Sequence, residues 1–230
     1  SASTHRSTDL LHRTYFSDNP LMAVQTRAMA TRQRIIDASV DLFYRKGYAS
    51  AVLADIVSEA NVTTGAFYYH FDSKEEVGAE IIRQAWPLWW GTVEQHSGRP
   101  PALENLIELT FELSDLLKRN RMALVAQHLN LAFYQHHDEV RNLEENLTRS
   151  SFATLGAMVP TAVLLDDISP EDVAVQASMN IFGSHVLAGR MGDSACARLA
   201  LSWLILLRGA VQADELPHFE EFVTSIAARY

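Results

Sequence analysis

Apolar side chains recur at helical spacing along most of the chain. From Thr26 onward, Ile35, Ile36, Ser39, Leu42 and Phe43 place apolar or small groups at i, i+1, i+4, i+7 and i+8, which is one face of a helix. Arg32 and Arg34 lie away from most of that stripe. Gly47 ends the helix just after Arg45 and Lys46, whose charges suit its negative end. A second short helix follows Ser50, with Leu53, Ile56 and Val57 facing inward. Ala60-Asn61-Val62 breaks it, because Asn61 tolerates the left-handed backbone that a tight turn needs. Thr63 caps a third helix from Thr64 to about Tyr69, and Phe71 ends it. Ser73 and Glu76 then form a capping box at the head of a fourth helix. Short helices joined by such a turn make a helix-turn-helix unit.

The helical period continues to the C-terminus. It predicts helices near Lys74–Glu94, Ala102–Lys118, Arg121–Tyr134, Glu139–Met158, Pro170–Ala188, Ala195–Ala210 and Leu216–Ala228. Gly98-Arg99-Pro100-Pro101, Asn120, Pro160, Ser169-Pro170, Gly189 to Gly192, and Pro217 separate them. Pro170 in the first turn and Gly189 just past the last follow the usual asymmetry of helix ends. No stretch shows strand alternation, so the fold class is all-α. Residues 1–24 show no sustained period and read as a flexible N-terminal arm. In Pro170–Ala188 and Ala195–Ala210, apolar groups occupy more than one face: Val173, Val175, Ala177 and Ile181 in one, Leu199, Trp203, Leu206 and Leu207 in the other. Such helices are buried on more than one side, either across a two-fold interface or at the centre of a monomer.

Composition sharpens this picture in three ways. The charged fraction of 20% and apolar fraction of 48% are those of a folded globular protein. No apolar run is long enough to span a bilayer; the most apolar one, Leu199 to Val211, carries Arg208. Ser1 to Met22 is polar and lacks the apolar region of a secretory leader. Cys196 is the one cysteine, which excludes an internal disulfide and a thiol ligand set, and suits a reducing cytoplasm. The net charge of −9 is unevenly placed: residues 1–50 carry seven basic and four acidic side chains, residues 84–230 ten basic and eighteen acidic. An acidic body repels DNA, so only the N-terminal end is electrostatically able to face it.

A helix-turn-helix reads DNA by laying its second helix in the major groove. That helix begins Thr63-Thr64-Gly65-Ala66-Phe67-Tyr68-Tyr69-His70. Gly65 and Ala66 are small enough for close approach, while Thr63, Thr64, Tyr68 and His70 have polar groups that reach phosphates or bases. Lys74 sits at the start of the next helix, where free N–H groups also favour a phosphate. The plainer reading is that Tyr68, Tyr69 and His70 cap a small core. Phe67 and Phe71, four apart, belong to that core in either case.

The ordered run Thr31-Arg32, Ile35-Ile36-Asp37-Ala38, Leu42-Phe43, Gly47-Tyr48, Leu53-Ala54-Asp55-Ile56-Val57, Ala60-Asn61-Val62-Thr63, Gly65 to Phe71 and Lys74-Glu75 resembles the DNA-binding domain of the TetR family. The resemblance covers roughly residues 26–80. It implies an all-helical homodimeric repressor with a helix-turn-helix domain at residues 25–73 and a ligand-binding and dimerisation domain at 74–230. Pseudo-palindromic operator DNA and a small-molecule inducer would be its partners, with no cofactor and no membrane. The DNA contacts it implies are Arg32, Thr63, Thr64, Gly65, Tyr68, His70 and Lys74. Many relatives carry lysine after the threonine matching Thr63. Thr64 replaces that cation with a neutral hydroxyl, which weakens the salt-dependent phosphate contribution.

A second similarity, carried by Gly65 to Phe71, Ser73 to Val77, Gln84, Asn105 to Thr110 and Ile181 to Val186, is to the γ-butyrolactone receptor subgroup. Those proteins leave DNA when a diffusible lactone or related signal binds, switching on antibiotic biosynthesis. Where that subgroup often has a Pro-rich segment and a pocket tryptophan, this chain has Gln135-His136-His137-Asp138-Glu139-Val140. A furan, a butenolide or a late antibiotic intermediate therefore stands beside the lactone as the expected signal. A drug-sensing repressor of an efflux pump is the alternative.

Pockets are mostly apolar with a few convergent polar groups. Trp86 and Trp90 share a helix face, with Pro87 between them expected to kink the helix. Gln127, Asn130 and Tyr134 fall on one side of a central helix, where a buried amide or phenol needs a partner. Phe111, Phe152 and Met179 are candidate apolar walls. Each of these residues is equally readable as core or as outward polar face. His136-His137 beside Asp138, with His128 earlier, lacks the further ligands a metal site requires, so no metal is expected. No nucleophile elbow or Gly-rich phosphate loop is present, which sets enzymes aside.

Overall fold

The computed structural model describes residues 20–133, 151–192 and 194–230, which form two compact units divided between Ile81 and Ile82. The first unit begins with α1, Pro20–Lys46. It starts six residues before Thr26, where the apolar period begins, because nothing in Pro20 to Gln25 breaks a helix and Pro20 suits a first turn. The helix thus takes in residues 20–24 of the predicted arm, and residues 1–19 lie outside the described residues. Ile35, Ile36, Leu42 and Phe43 are buried, as is Ser39, whose hydroxyl donates to the Ile35 carbonyl at 2.7 Å. Gly47 closes the helix with φ +78°, its N–H bonded to the Phe43 carbonyl.

α2, Leu53–Glu59, and α3, Thr64–His70, pack on α1 and on each other. Ile56 is fully buried, with Leu53 and Val57 half-buried beside it. Asn61 takes φ +50° in the turn between them, the left-handed conformation expected of it. Arg45–Glu59 at 2.9 Å and Lys46–Asp55 at 3.1 Å tie the end of α1 to α2.

α4, Lys74–Ser97, passes from the first unit into the second and runs unbroken through Pro87. The second unit is organised around α5, Leu103–Arg119, which buries Leu103, Leu106, Ile107, Leu109, Phe111, Leu113 and Leu117. Packed on it are α6, Arg121–Phe133; α7, Pro170–Met191; α8, Ala195–Ala210; and α9, Leu216–Ala227. Residues 151–156 are helical too, and the expected start of that helix at Glu139 lies outside the described residues. Trp203 of α8 is fully buried, and its indole N–H donates to Thr110 Oγ1 at 2.8 Å, which gives the core one satisfied polar link.

Ser169 and Asp172 form a capping box ahead of Pro170. The far end of α7 differs from expectation. The helix continues through Gly189 and stops at Gly192, which has φ +72°. A helix interior tolerates glycine at a cost of about 1 kcal/mol, and only the later glycine takes the left-handed backbone. Among the described residues, a 3₁₀ turn spans Thr161–Val163 and the one β-type pairing is an isolated antiparallel bridge between Leu164 and Val211. No helix among them is long and apolar enough to cross a membrane.

Candidate nucleic-acid interface and cavity

The turn between α2 and α3 presents the candidate reading surface. Thr63 caps α3, its hydroxyl accepting from Ala66 N–H at 3.1 Å, and Thr63, Thr64 and Gly65 are exposed. A Cβ added at Gly65 would meet nothing nearer than Thr63 Oγ1 at 4.0 Å, so packing inside the protein does not require glycine there. The open space faces outward. Phe67 and Phe71 fill the inner face with ring centroids 6.1 Å apart. Tyr68 is 54% exposed, its ring edge-on to that of Phe67 at 5.6 Å, and Tyr69 is 78% exposed. Tyr69 was not among the expected contacts. At 100° per residue it stands two positions from each buried phenylalanine, nearly opposite both, and that spacing was its available signal.

The charged candidates are held differently. Arg32 pairs with buried Glu80 at 2.9 Å and lies 4.7 Å above the Phe71 ring. Lys74 Nζ donates to the carbonyls of Tyr48 and Ala51, each at 2.9 Å, and sits 4.1 Å from the Tyr48 ring centre. Two of its three N–H donors are therefore committed to the loop that precedes α2. Tyr48 donates in turn to Glu75 at 2.9 Å. Burial, then that hydrogen bond, holds the Tyr48 phenol well above its ordinary range. Burial and the neighbouring Arg32 charge push the His70 imidazole down, so it is neutral near pH 7. The uncharged groups of this surface point outward, and two of its cations fasten it to its own scaffold.

The second unit contains a cavity of about 180 Å³. Trp86, Trp90, Gln127, Asn130 and Phe152 all line it. The two indoles are stacked, with centroids 6.0 Å apart and planes 12° from parallel. Phe111 and Met179 are not in the wall. Phe111 is buried on another side of α5, stacked on Tyr230 at 6.1 Å. Met179 is 59% exposed, two positions from both Ala177 and Ile181, which face inward. Tyr134, and with it His136, His137 and Asp138, lies outside the described residues. Among those described, no group of three or more potential metal ligands converges.

Sequence reasoning passed over Trp89, which meets Phe182 at 5.8 Å, and the α5 face made by Leu106, Leu109, Thr110 and Leu113. That face has clean helical spacing, which marks a buried side without saying whether core or cavity lies against it. The polar atoms of the cavity are its most distinctive feature. Gln127 is 4% exposed, yet neither its Nε2 nor its Oε1 has a partner among the described residues, and Asn130 Oδ1 is in the same state.

Residues 35–81 match the model for bacterial regulatory proteins of the tetR family. The chain is 34% identical over 111 residues to the A-factor receptor protein of Streptomyces griseus, a match covering 48% of this chain and 38% of that one. The matched part thus spans well under half of that relative. A crystal structure of a γ-butyrolactone receptor (ArpA-like protein) superimposes with a TM-score of 0.71 at 27% identity, covering 89% of this chain and all of the other. CprB of Streptomyces coelicolor, solved in complex with its biological operator sequence, gives a TM-score of 0.69 at 28% identity over the same shares. These relatives are regulators rather than enzymes. The tetR-family match is thus carried by the N-terminal unit, whose residues 35–81 hold α2, α3 and the start of α4.

Proposed function

We propose that this protein is a TetR-family transcriptional repressor released from its operator by a small diffusible signal of the γ-butyrolactone, furan or butenolide type. On this reading it controls antibiotic or secondary-metabolite biosynthesis. The observation that carries the proposal is the apolar cavity whose buried Gln127 amide is unpartnered, in a chain whose other unit exposes a family-type reading helix. A buried amide without partners is unfavourable in the empty protein, and a ligand removes that penalty on binding.

Thr63, Thr64, Gly65, Tyr68 and Tyr69 would meet the operator, with His70 as a neutral hydrogen-bonding group. Arg32 and Lys74 would chiefly hold that surface in place. A homodimer would set two such helices on half-sites about 34–36 Å apart. Its interface would be the apolar groups left outside on α7 and α8: Met179, Phe182, Leu187, Leu201 and Ile205. Trp86 and Trp90 share α4 with Lys74, so a ligand against the indoles acts on the helix that also anchors the Tyr48 loop. A coupling of about 1–3 kcal/mol would lower operator affinity roughly 5–150-fold.

The test is a band shift with a pseudo-palindromic promoter fragment, followed by addition of lactone, furan, butenolide and cationic-drug panels. A specific complex dissolved by a small signal is the expected result. No specific complex removes the repressor reading, whereas release by bulky cationic drugs alone makes the protein an efflux-pump regulator.

A further inference from the structure

The Gln127 carboxamide presents an N–H donor and a carbonyl acceptor side by side in the cavity, both unpartnered among the described residues. Whatever satisfies it brings an acceptor and a donor side by side as well. The requirement is the same if the amide is turned over, since the two roles merely exchange. Asn130 adds a further unpartnered polar atom three residues on, on the same side of α6. The three hydroxyls in the wall are already engaged. Thr110 accepts from Trp203 and donates to the Ile107 carbonyl, and Ser178 donates to the Ala174 carbonyl. Ser151 also has a partner.

The described wall contains no Lys, Arg, His, Asp or Glu. A carboxylate ligand would find no cation there and would set its oxygens against Gln127 Oε1. A cationic drug would find no counter-charge. Burying either charge unpaired is more unfavourable than leaving the amide as it is. A plain lactone is neutral but carries only acceptors, so it pairs with Nε2 and leaves Oε1 unmatched. The near-parallel indoles of Trp86 and Trp90 favour a flat ring nearby. A cavity of about 150 Å³ holds a benzene, so this one holds a small substituted ring.

We infer that the cavity selects an uncharged, small-ring ligand with an N–H or O–H donor adjacent to a carbonyl, such as a lactam or a hydroxy-carbonyl compound, paired at two points with Gln127. A simple lactone is the weaker ligand. The inference rests on the cavity being the effector site proposed above.

Three of the four tryptophans line the cavity, so intrinsic fluorescence of the full-length protein reports binding there. The probes are γ-octalactone, the γ-lactam with the same butyl chain, and the ring-opened hydroxycarboxylate. The lactam is expected to bind about tenfold or more tightly than the lactone, with the carboxylate weakest. Gln127→Leu is expected to close the gap between lactam and lactone. Equal binding of the two rings by the wild-type protein overturns the inference but leaves the cavity as the effector site, and so does a gap that survives Gln127→Leu. If neither ring alters the fluorescence nor releases operator DNA, the effector-site reading fails and the inference fails with it.

Discussion

In the N-terminal unit the polar groups near the core find their partners within the chain, whereas the cavity of the second unit leaves a buried amide open. Ser39 turns its hydroxyl back to its own helix, Glu80 takes Arg32, and Lys74 is held by two loop carbonyls. Gln127, more deeply buried than Arg32 or Lys74, has neither of its polar atoms matched. Internal matching makes a surface rigid before it meets a partner, and a rigid surface suits DNA, whose groove and phosphate geometry is fixed. Internal mismatch does the opposite work, leaving a penalty that a matching ligand removes.

The sharpest way to break this comparison is Lys74→Met. If Lys74 serves the scaffold, its loss lowers stability by about 2 kcal/mol, read by urea unfolding, and leaves the salt slope of operator binding unchanged. A slope smaller by about one would show instead that Lys74 grips a phosphate directly. Gln127→Leu probes the other side and runs in the opposite direction. Removing an unmatched amide is expected to raise stability by about 1–2 kcal/mol in the ligand-free protein. A fall in thermal midpoint would mean that the amide is matched in solution, and the contrast between the units would disappear.

The smallest effect is a pH dependence. His185 of α7 meets Ser114 at 2.9 Å, and burial lowers its pKa. The unfolded chain therefore takes up a proton as pH falls through about 6.5, before the folded protein does. Stability is complete above that value and declines as pH falls from it toward the lowered folded pKa. His185→Gln should flatten this decline in thermal unfolding measured between mildly acidic and neutral pH.

Much of this was legible from side-chain spacing. The stripe from Ile35 to Phe43, the left-handed turn at Asn61 and the Thr63 cap are local features, so the chain states them locally. The end of α7 was not, because Gly189 and Gly192 are equally able to stop a helix, and only packing decides which one takes the left-handed backbone. Period also cannot separate core from cavity. Leu106, Leu109, Thr110 and Leu113 show the regular spacing of a core face, and the space against them is made in part by residues far along the chain, such as Ile181. The loop contacts of Lys74 were hidden for a related reason. Its partners are carbonyls of Tyr48 and Ala51, and main-chain groups carry no side-chain signature that a sequence could display.

The placement of α4 has a consequence for how such a protein changes under selection. Its 24 residues carry both the Lys74 anchor of the Tyr48 loop and the indoles of the cavity. If the protein is the signal-released repressor proposed above, variants that no longer answer the signal and variants that no longer hold DNA would map to the same short stretch of gene. A lineage adapting to a new signal could not tune one trait along this helix without exposing the other to drift. The Gln127 wall on α6 is free of that linkage, so it is where a new inducer preference would arise first.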